Sequence, residues 1–223
     1  MTHADPDEEA RRLAAASLDV GDPTGWFDRL YGAAERGDAV VPWDRGQAHP
    51  LLVEWAAARG LSGAGRPALV VGFGPGHDAE FVSSLGFDTV AFDVAETAVE
   101  AVRRRFPGSS VRYRTGDLLD PPPVWRRSFD LVVESYTVQS LPEAYRHRAT
   151  TNVAEMVAPG GTLIVIGAVG VEGAEREDGP PWPLVRTEVE AFSAGGLSPV
   201  LIEDIQDATT PTVRRWRAEF HRA

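Results

Sequence analysis

The chain has no cysteine, which excludes disulfides, thiolate metal sites and a cysteine nucleophile. It has no lysine either: its 22 basic residues are all arginine, set against 33 acids. A formal net charge of -11 does not suit a protein that seeks phosphate backbones, and no basic stripe argues otherwise, so no nucleic-acid partner is expected. The arginines at 103–105 and 214–217 read as solvated faces of a helix and a terminal strand. No apolar run is long enough to span a membrane, and the first residues are acidic and polar. The cytoplasm is therefore the default location. The five histidines, at 3, 49, 77, 147 and 221, lack ligand-like spacing, and no metal site is expected. Heavy use of Ala, Gly, Arg and Pro points to a high-GC genome of bacterial type.

What is present is an ordinary globular composition, 43% hydrophobic and 25% charged over 223 residues. That length suits one large α/β domain with a short extension. The most informative stretch is 68–93. Ala68, Leu69, Val70 and Val71 read as a strand buried on both faces. The run breaks into Gly72-Phe73-Gly74-Pro75-Gly76. A helical pattern follows, with Phe81, Val82 and Leu85 on one face, and Gly86 ends it. A second apolar strand, Thr89 to Phe92, stops on Asp93. Strand, glycine turn, helix, strand and terminal acid form the opening βαβ unit of a doubly wound sheet that binds the adenosine half of a cofactor.

The glycine spacing bears on which cofactor. A nicotinamide fold wants G-x-G-x-x-G, and its third glycine would fall on His77; this chain has G-x-G-x-G. Asp78 follows at the start of the helix, the partly positive end where a pyrophosphate would sit. A carboxylate there competes with phosphate and suits a cofactor that carries positive charge and no phosphate. S-adenosylmethionine, with its sulfonium and ammonium, fits. Asp93 is placed to accept from the ribose hydroxyls.

The alternation continues along the chain. Asp5-Pro6-Asp7-Glu8-Glu9 reads as a helix start, but the apolar face behind it (Leu13, Ser17, Leu18) is thin, and a frayed segment is expected. Trp26, Phe27, Tyr31 and Trp43 crowd the next stretch, and 48–59 reads as a helix with Pro50 in its first turn. Beyond Asp93 come a helix (96–106), a third strand (111–114), a turn at Gly116-Asp117-Leu118-Leu119, and a fourth strand from Phe129 ending at Glu134. A helix (145–157), a Pro159-Gly160-Gly161 turn and a fifth strand (162–167) follow. The Gly/Pro-rich 169–183 stretch is expected to be a mobile loop. A helix (186–194) and two further strands (200–205 and 212–220) complete the chain. The expected fold is α/β: a doubly wound, mostly parallel seven-stranded sheet with an antiparallel C-terminal strand. Residues 1–60 would form a helical cap and 61–223 the cofactor-binding domain.

This order resembles the class I S-adenosylmethionine-dependent methyltransferases over about residues 65–220. The marks are Val70-Val71-Gly72-Phe73-Gly74-Pro75-Gly76, Asp93, Gly116-Asp117-Leu118, Phe129-Asp130-Leu131-Val132-Val133, and Val157-Ala158-Pro159-Gly160-Gly161-Thr162-Leu163. The resemblance implies an adenine contact at Gly116, Asp117 and Leu118, and a closing antiparallel hairpin. A narrower likeness to the thiopurine and halide/thiol branch rests on Val41-Pro42-Trp43-Asp44-Arg45-Gly46, Gly76-His77-Asp78-Ala79 and Ser140-Leu141-Pro142-Glu143-Ala144-Tyr145-Arg146. It implies that the tryptophan-bearing N-terminal segment closes over the cofactor's methionine end. The chain differs from that branch at Phe73, where cysteine is usual, and at Glu134-Ser135-Tyr136-Thr137, where an acid-Arg-Gly sequence is common.

Methyl transfer from a sulfonium is an in-line displacement governed by orientation and exclusion of water. A soft nucleophile needs little base help; a hydroxyl or amine needs its proton removed. The candidate catalytic residues are Tyr136, Asp44 and Gln139. The candidate cofactor residues are Trp43, Gly72, Phe73, Gly74, Gly76, Asp78, Asp93, Val94, Gly116, Asp117, Leu118 and Glu134. Each has a plainer alternative: Tyr136 packing a wall, Trp43 buried as an apolar residue, Asp44 capping a turn. Arg45 and Arg146 could recruit an anion, although solvated arginine is the plainer reading; His77 is read as stabilising its turn, and Trp26 and Tyr31 as lid or core. The expected function is methylation of a small molecule, a thiol or other soft nucleophile, by a monomer or weak homodimer. An O- or N-methyltransferase of a secondary-metabolite pathway and a non-catalytic cofactor-binding module stay open as alternatives. A nicotinamide oxidoreductase is disfavoured by His77 and Asp78.

Overall fold

A computed structural model of the chain describes residues 6–174, 179–207 and 210–223. Seven strands form one sheet in the order β3-β2-β1-β4-β5-β7-β6. β1 (Pro67–Val71), β2 (Asp88–Asp93), β3 (Arg112–Thr115), β4 (Phe129–Ser135) and β5 (Val157–Ala168) run parallel. β7 (Arg214–Arg222) lies antiparallel between β5 and β6 (Leu197–Gln206), so the expected closing hairpin is present.

The continuous apolar run of β1 follows from its position. Ala68 and Val70 face one side and pack with Trp55 of α3 (Pro50–Ala58), Val82 of α4 (His77–Ser84) and Val99 of α5 (Glu96–Arg105). Leu69 and Val71 face the other and pack with Val153 and Met156 of α6 (Glu143–Met156). A central parallel strand covered on both faces has no polar side. The order reverses at β1, with β2 and β3 on one flank and β4 on the other. This leaves a crevice outside the carboxyl ends of β1 and β4.

The sequence expectations need adjustment in four places. The Pro159-Gly160-Gly161 turn lies inside β5: pairing with β4 jumps from Phe129↔Val157 to Leu131↔Thr162, and 158–161 loop out with Gly160 at φ +76°. The helix expected over 186–194 is a short α7 (Arg186–Glu190) that tightens into a 3-10 turn at Ala191–Ser193. The N-terminal helix is not frayed. α1 (Pro6–Leu18) buries Ala10 and Ala14 against Trp26 and Leu30 of α2 (Gly25–Glu35); small residues let the helices approach closely, so a thin apolar face suffices. Asp5, part of the expected helix start, lies outside the described residues. Lastly, α3 packs against the sheet although its residues were grouped with the cap. Its Trp55 Nε1 donates to Glu219 Oε2 on β7 at 2.9 Å.

α1 and α2 stand over the carboxyl edge of the sheet. α2 is tied there by Asp28, which accepts from Thr97 N at 3.1 Å and Thr97 Oγ1 at 2.9 Å in the first turn of α5. The 169–183 loop, of which 175–178 lie outside the described residues, is anchored at both ends. Gly170 N donates to Leu184 O at 2.8 Å, and Trp182 N donates to Gln139 O at 2.9 Å. Among the described residues no helix is long and apolar enough to cross a membrane.

Candidate active site

A cavity of about 310 Å³ lies over the carboxyl edge of the sheet, under α1 and α2. Gly72, Asp93, Val94, Gly116, Asp117, Leu118 and Tyr136 line it, with Tyr31 and Trp43 from the cap and Arg215 from β7. A smaller cavity of about 100 Å³ shares Trp43, Arg45, Gly72, Ser135 and Tyr136 with the first and adds His49, Phe73, Gly74 and Asp78. Strand order spreads these groups along one line. Asp93 and Tyr136 follow strands two places apart, roughly 10 Å at the usual strand spacing.

On the β1–β3 side the chain makes a polar cradle. Gly72 and Gly74 have φ of +57° and +51°. A Cβ on Gly72 would overlap the Thr137 side chain, and one on Gly74 would come within 3.0 Å of the Tyr31 hydroxyl. Only glycine leaves this space open. Asp93, 5% exposed, accepts from Gly74 N and Ala95 N, each at 3.0 Å, so its carboxylate is fixed at the cavity wall. Burial raises its pKa to about 6, although these backbone donors oppose the shift. Asp117 Oδ1 accepts from Leu119 N at 2.7 Å and shapes the turn beside it.

The cap closes this side with aromatic rings. Trp43 Nε1 donates to the Tyr31 hydroxyl at 3.0 Å, and Trp43 meets Trp26, Phe27 and Tyr31 edge-on at centroid distances of 6.0–6.3 Å. Trp26 is buried between α1 and α2, which answers the lid-or-core question as core, whereas Tyr31 is both buried and on the cavity.

On the β4–β7 side Tyr136 is the central group. It has φ +62°, an uncommon conformation for a bulky residue, held by its N–H donating to Ile166 O at 2.9 Å. The Arg215 guanidinium sits 5.7 Å from its ring centroid, and His49 Nε2 lies 3.5 Å from its hydroxyl. Asp78 lies nearby, accepting from His49 N at 2.7 Å, with burial pushing its pKa up.

Several expected site residues stand elsewhere. Glu134 and Gln139 line neither cavity. Glu134, 1% exposed, turns inward and accepts from Thr137 N at 2.8 Å and Val138 N at 2.9 Å, so it caps the 3-10 turn Val138–Ser140; burial raises its pKa to about 7. Gln139 is fully buried and accepts from Ala168 N at 2.7 Å. Strand alternation in β4 puts Glu134 on the core side with Val132, and the turn after Tyr136 buries Gln139 while Thr137, Ser140 and Leu141 stay on the cavity wall. Asp44 is outside both cavities. It accepts from Gly46 N at 3.0 Å and from Arg105 at 3.1 Å, with His77 Nε2 at 3.3 Å, which makes it a turn residue that ties the Trp43 segment to α4 and α5. Gly76 lines neither cavity; a Cβ there would meet Val102 and Tyr113, so its role is close packing. The Phe73 ring packs edge-on against Tyr113 at 4.9 Å. Arg146 is buried and paired with Glu188 at 2.7 Å, neither solvated nor on the cavity.

Residues 68–161 match the family described as "Methyltransferase domain". The chain is 28% identical over 202 residues to thiocyanate methyltransferase 1 of Brassica oleracea, covering 89% of this chain and 83% of that protein. It is also 28% identical over 194 residues to the probable thiol methyltransferase 2 of Arabidopsis thaliana, covering 82% and 83%. Among solved structures, the Burkholderia thailandensis 1,6-didemethyltoxoflavin-N1-methyltransferase, with bound 1,6-didemethyltoxoflavin and S-adenosylhomocysteine, superposes with a TM-score of 0.68. That alignment is 14% identical and covers 100% of this chain and 92% of that one. By its domain match and its relatives, the chain resembles the class I S-adenosylmethionine-dependent methyltransferases.

Two of the cavity residues are missing from the sequence-based candidates. Arg215 was grouped with the solvated arginines of 214–217. Its neighbours Arg214 and Arg217 do pair with Asp204 and Glu203, but Arg215, the second residue of β7, stands opposite Ala168 at the carboxyl edge of β5. Placing the last strand antiparallel in the sheet was the signal that could have found it. His49 caps α3, and its contact with Tyr136 spans 87 positions, beyond any local pattern.

Proposed function

We propose that the enzyme methylates small, soft anions such as thiolates and thiocyanate. One observation carries this reading. Arg45 and Arg215 both line the main cavity, and among the described residues neither lies within salt-bridge distance of a carboxylate. Most arginines elsewhere on the surface are paired, Arg105 with Asp44 and Arg186 with Glu190 among them. Two guanidiniums with no carboxylate partner among the described residues, beside one tyrosine in a chain of net charge -11, make a local anion site against the overall field. The likeness to proteins named for thiocyanate and thiol methylation points to the same acceptor chemistry.

S-adenosylmethionine supplies the methyl group as an electrophile on a sulfonium sulfur. The residues of this chain hold and screen it. Asp93 accepts from the ribose, Gly116, Asp117 and Leu118 border the adenine, and the backbone at Gly72 and Gly74 lets the cofactor approach closely. Asp78 stands where a negative group favours the ammonium. Trp43 and Tyr31 exclude water from above, with residues up to Gly46 acting as the cap. Arg45 and Arg215 draw in the acceptor, and Tyr136 orients it. A soft anion needs no proton removed, so no general base is required. We place the reaction in the cytoplasm, where the cofactor is made, and assign it to a monomer or weak homodimer.

The test is transfer of labelled methyl from S-adenosylmethionine to thiocyanate, bisulfide, iodide and thiophenolate, with phenol and a primary amine alongside. Label in the anions at far higher kcat/KM supports the reading. Label confined to phenol or amine would reverse it in favour of O- or N-methylation.

A further inference from the structure

The geometry points to His49 as a positioning residue that aims the Tyr136 hydroxyl hydrogen at the methyl acceptor. This rests on the anion reading above and adds a residue to it.

His49 is the N-cap of α3, and its Nδ1 accepts from Leu51 N at 3.2 Å. An imidazole nitrogen that accepts carries no proton, so in the neutral ring the proton is on Nε2. The ring is buried and lies in the field of Arg45 and Arg215, both cationic, and these push its pKa down to about 3. His49 is therefore neutral across the physiological range, with Nε2–H as its single donor. That donor faces the Tyr136 oxygen at 3.5 Å, with the two rings 5.6 Å apart.

Tyr136 has a second such neighbour. The Arg215 guanidinium, which can only donate, lies 5.7 Å from its ring centroid. Arg45 adds a further positive charge, and the remaining ionisable group acting on the phenol is Asp78 on α4. The Asp78 carboxylate is engaged by His49 N at 2.7 Å. With His49 Nε2–H directed at the phenol oxygen, the hydroxyl's own hydrogen turns away from His49. It points to the cavities that Tyr136 lines. His49 thus makes Tyr136 a donor to an acceptor that arrives already ionised, and keeps it from serving as a base. The site selects anions by offering hydrogens and guanidiniums.

Two arms test this. The first needs no acceptor: ¹⁵N NMR of His49 in the S-adenosylhomocysteine complex should show the neutral Nε2–H tautomer throughout pH 5–8. A protonated ring at pH 6, or an Nδ1–H tautomer, would overturn the proposal whatever the acceptor is. The second uses thiocyanate as probe. His49→Asn keeps a side-chain oxygen for the helix cap but is too short to reach Tyr136. It should lower kcat/KM about ten-fold or more while leaving Tm and S-adenosylhomocysteine affinity unchanged. Tyr136→Phe should cost as much, His49→Asn added to it should cost nothing further, and His49→Gln, which restores a donor of suitable length, should recover part of the loss. Wild-type kcat/KM in His49→Asn, or additive effects of the two substitutions, would overturn the proposal. If wild type fails to methylate thiocyanate, the substrate reading falls and the NMR arm still decides the role of His49.

Discussion

Replacing Asp93 by asparagine should weaken S-adenosylhomocysteine binding about 10- to 150-fold at pH 8 and abolish its dependence on acid. The carboxylate is 5% exposed and is fixed at the cavity wall by two backbone donors at 3.0 Å. A hydrogen bond from a ligand hydroxyl to a charged acceptor is worth about 1.5–3 kcal/mol. At about 1.4 kcal/mol per factor of ten, losing one accounts for the predicted range. Asparagine keeps one acceptor oxygen, so one bond rather than two is counted. Burial raises the Asp93 pKa from 3.8 to about 6. Only the ionised form accepts from both ribose hydroxyls, so wild-type affinity should fall by up to about ten-fold per pH unit below about 6. Stability should move the other way. A carboxyl whose folded pKa exceeds its unfolded value favours the folded state when protonated. Its contribution is complete below about pH 4 and is lost as pH rises through about 6, with a limit of about 3 kcal/mol at 1.36 kcal/mol per pH unit. Glu134, raised to about 7 by burial, adds a contribution of the same sign. The Asp93 share is therefore the difference between wild type and Asp93→Asn in urea titrations from pH 4 to 8. Calorimetry over the same range reads the affinity. Equal affinity in the variant, or a flat wild-type profile down to pH 5, would refute the placement of Asp93 at the ribose.

Three further outcomes are expected. Arg215→Gln should raise KM for thiocyanate about ten-fold or more while S-adenosylhomocysteine affinity holds; an unchanged KM would remove Arg215 from acceptor binding. Gly72→Ala places a Cβ at φ +57° against Thr137, whose Oγ1 donates to Val71 O at 3.0 Å. It should cost about 1–3 kcal/mol in urea unfolding, and an unshifted midpoint would mean that the turn relaxes freely. Arg146→Met removes donors to Leu141 O, Glu188 and Trp182 O at 2.9, 2.7 and 3.4 Å. The expected loss is about 3 kcal/mol, the low end for a broken buried pair because the Glu188 side chain keeps 21% exposure. A stability within 0.5 kcal/mol of wild type would show that the pair is compensated elsewhere.

The parts legible in the sequence are those whose physics is local. β1, α4 and β2 declare themselves because a doubly covered strand must be apolar throughout, and the turn between them admits only glycine. The same reasoning leads to Asp93, which ends the strand beside β1. Positions set by long-range contact are harder. Glu134 and Gln139 sit near the expected site, yet Glu134 follows the inward alternation of β4 and Gln139 falls on the buried side of the turn after Tyr136, and nothing in a bulky tyrosine announces φ +62°. α1 looked too thinly apolar to hold, because Ala10 and Ala14 bury well only against the particular shape of Trp26. Arg215 and Arg214 are indistinguishable in a row of arginines; the strand alternation sends one to the cavity and the other to Asp204.

The most direct measurement is calorimetric titration of the protein with S-adenosylhomocysteine, with NAD as control. Binding of S-adenosylhomocysteine at one site, and none of NAD, is the predicted result. Binding of NAD instead would contradict the case built on the glycine spacing, His77 and Asp78, and with it the methyl-transfer chemistry.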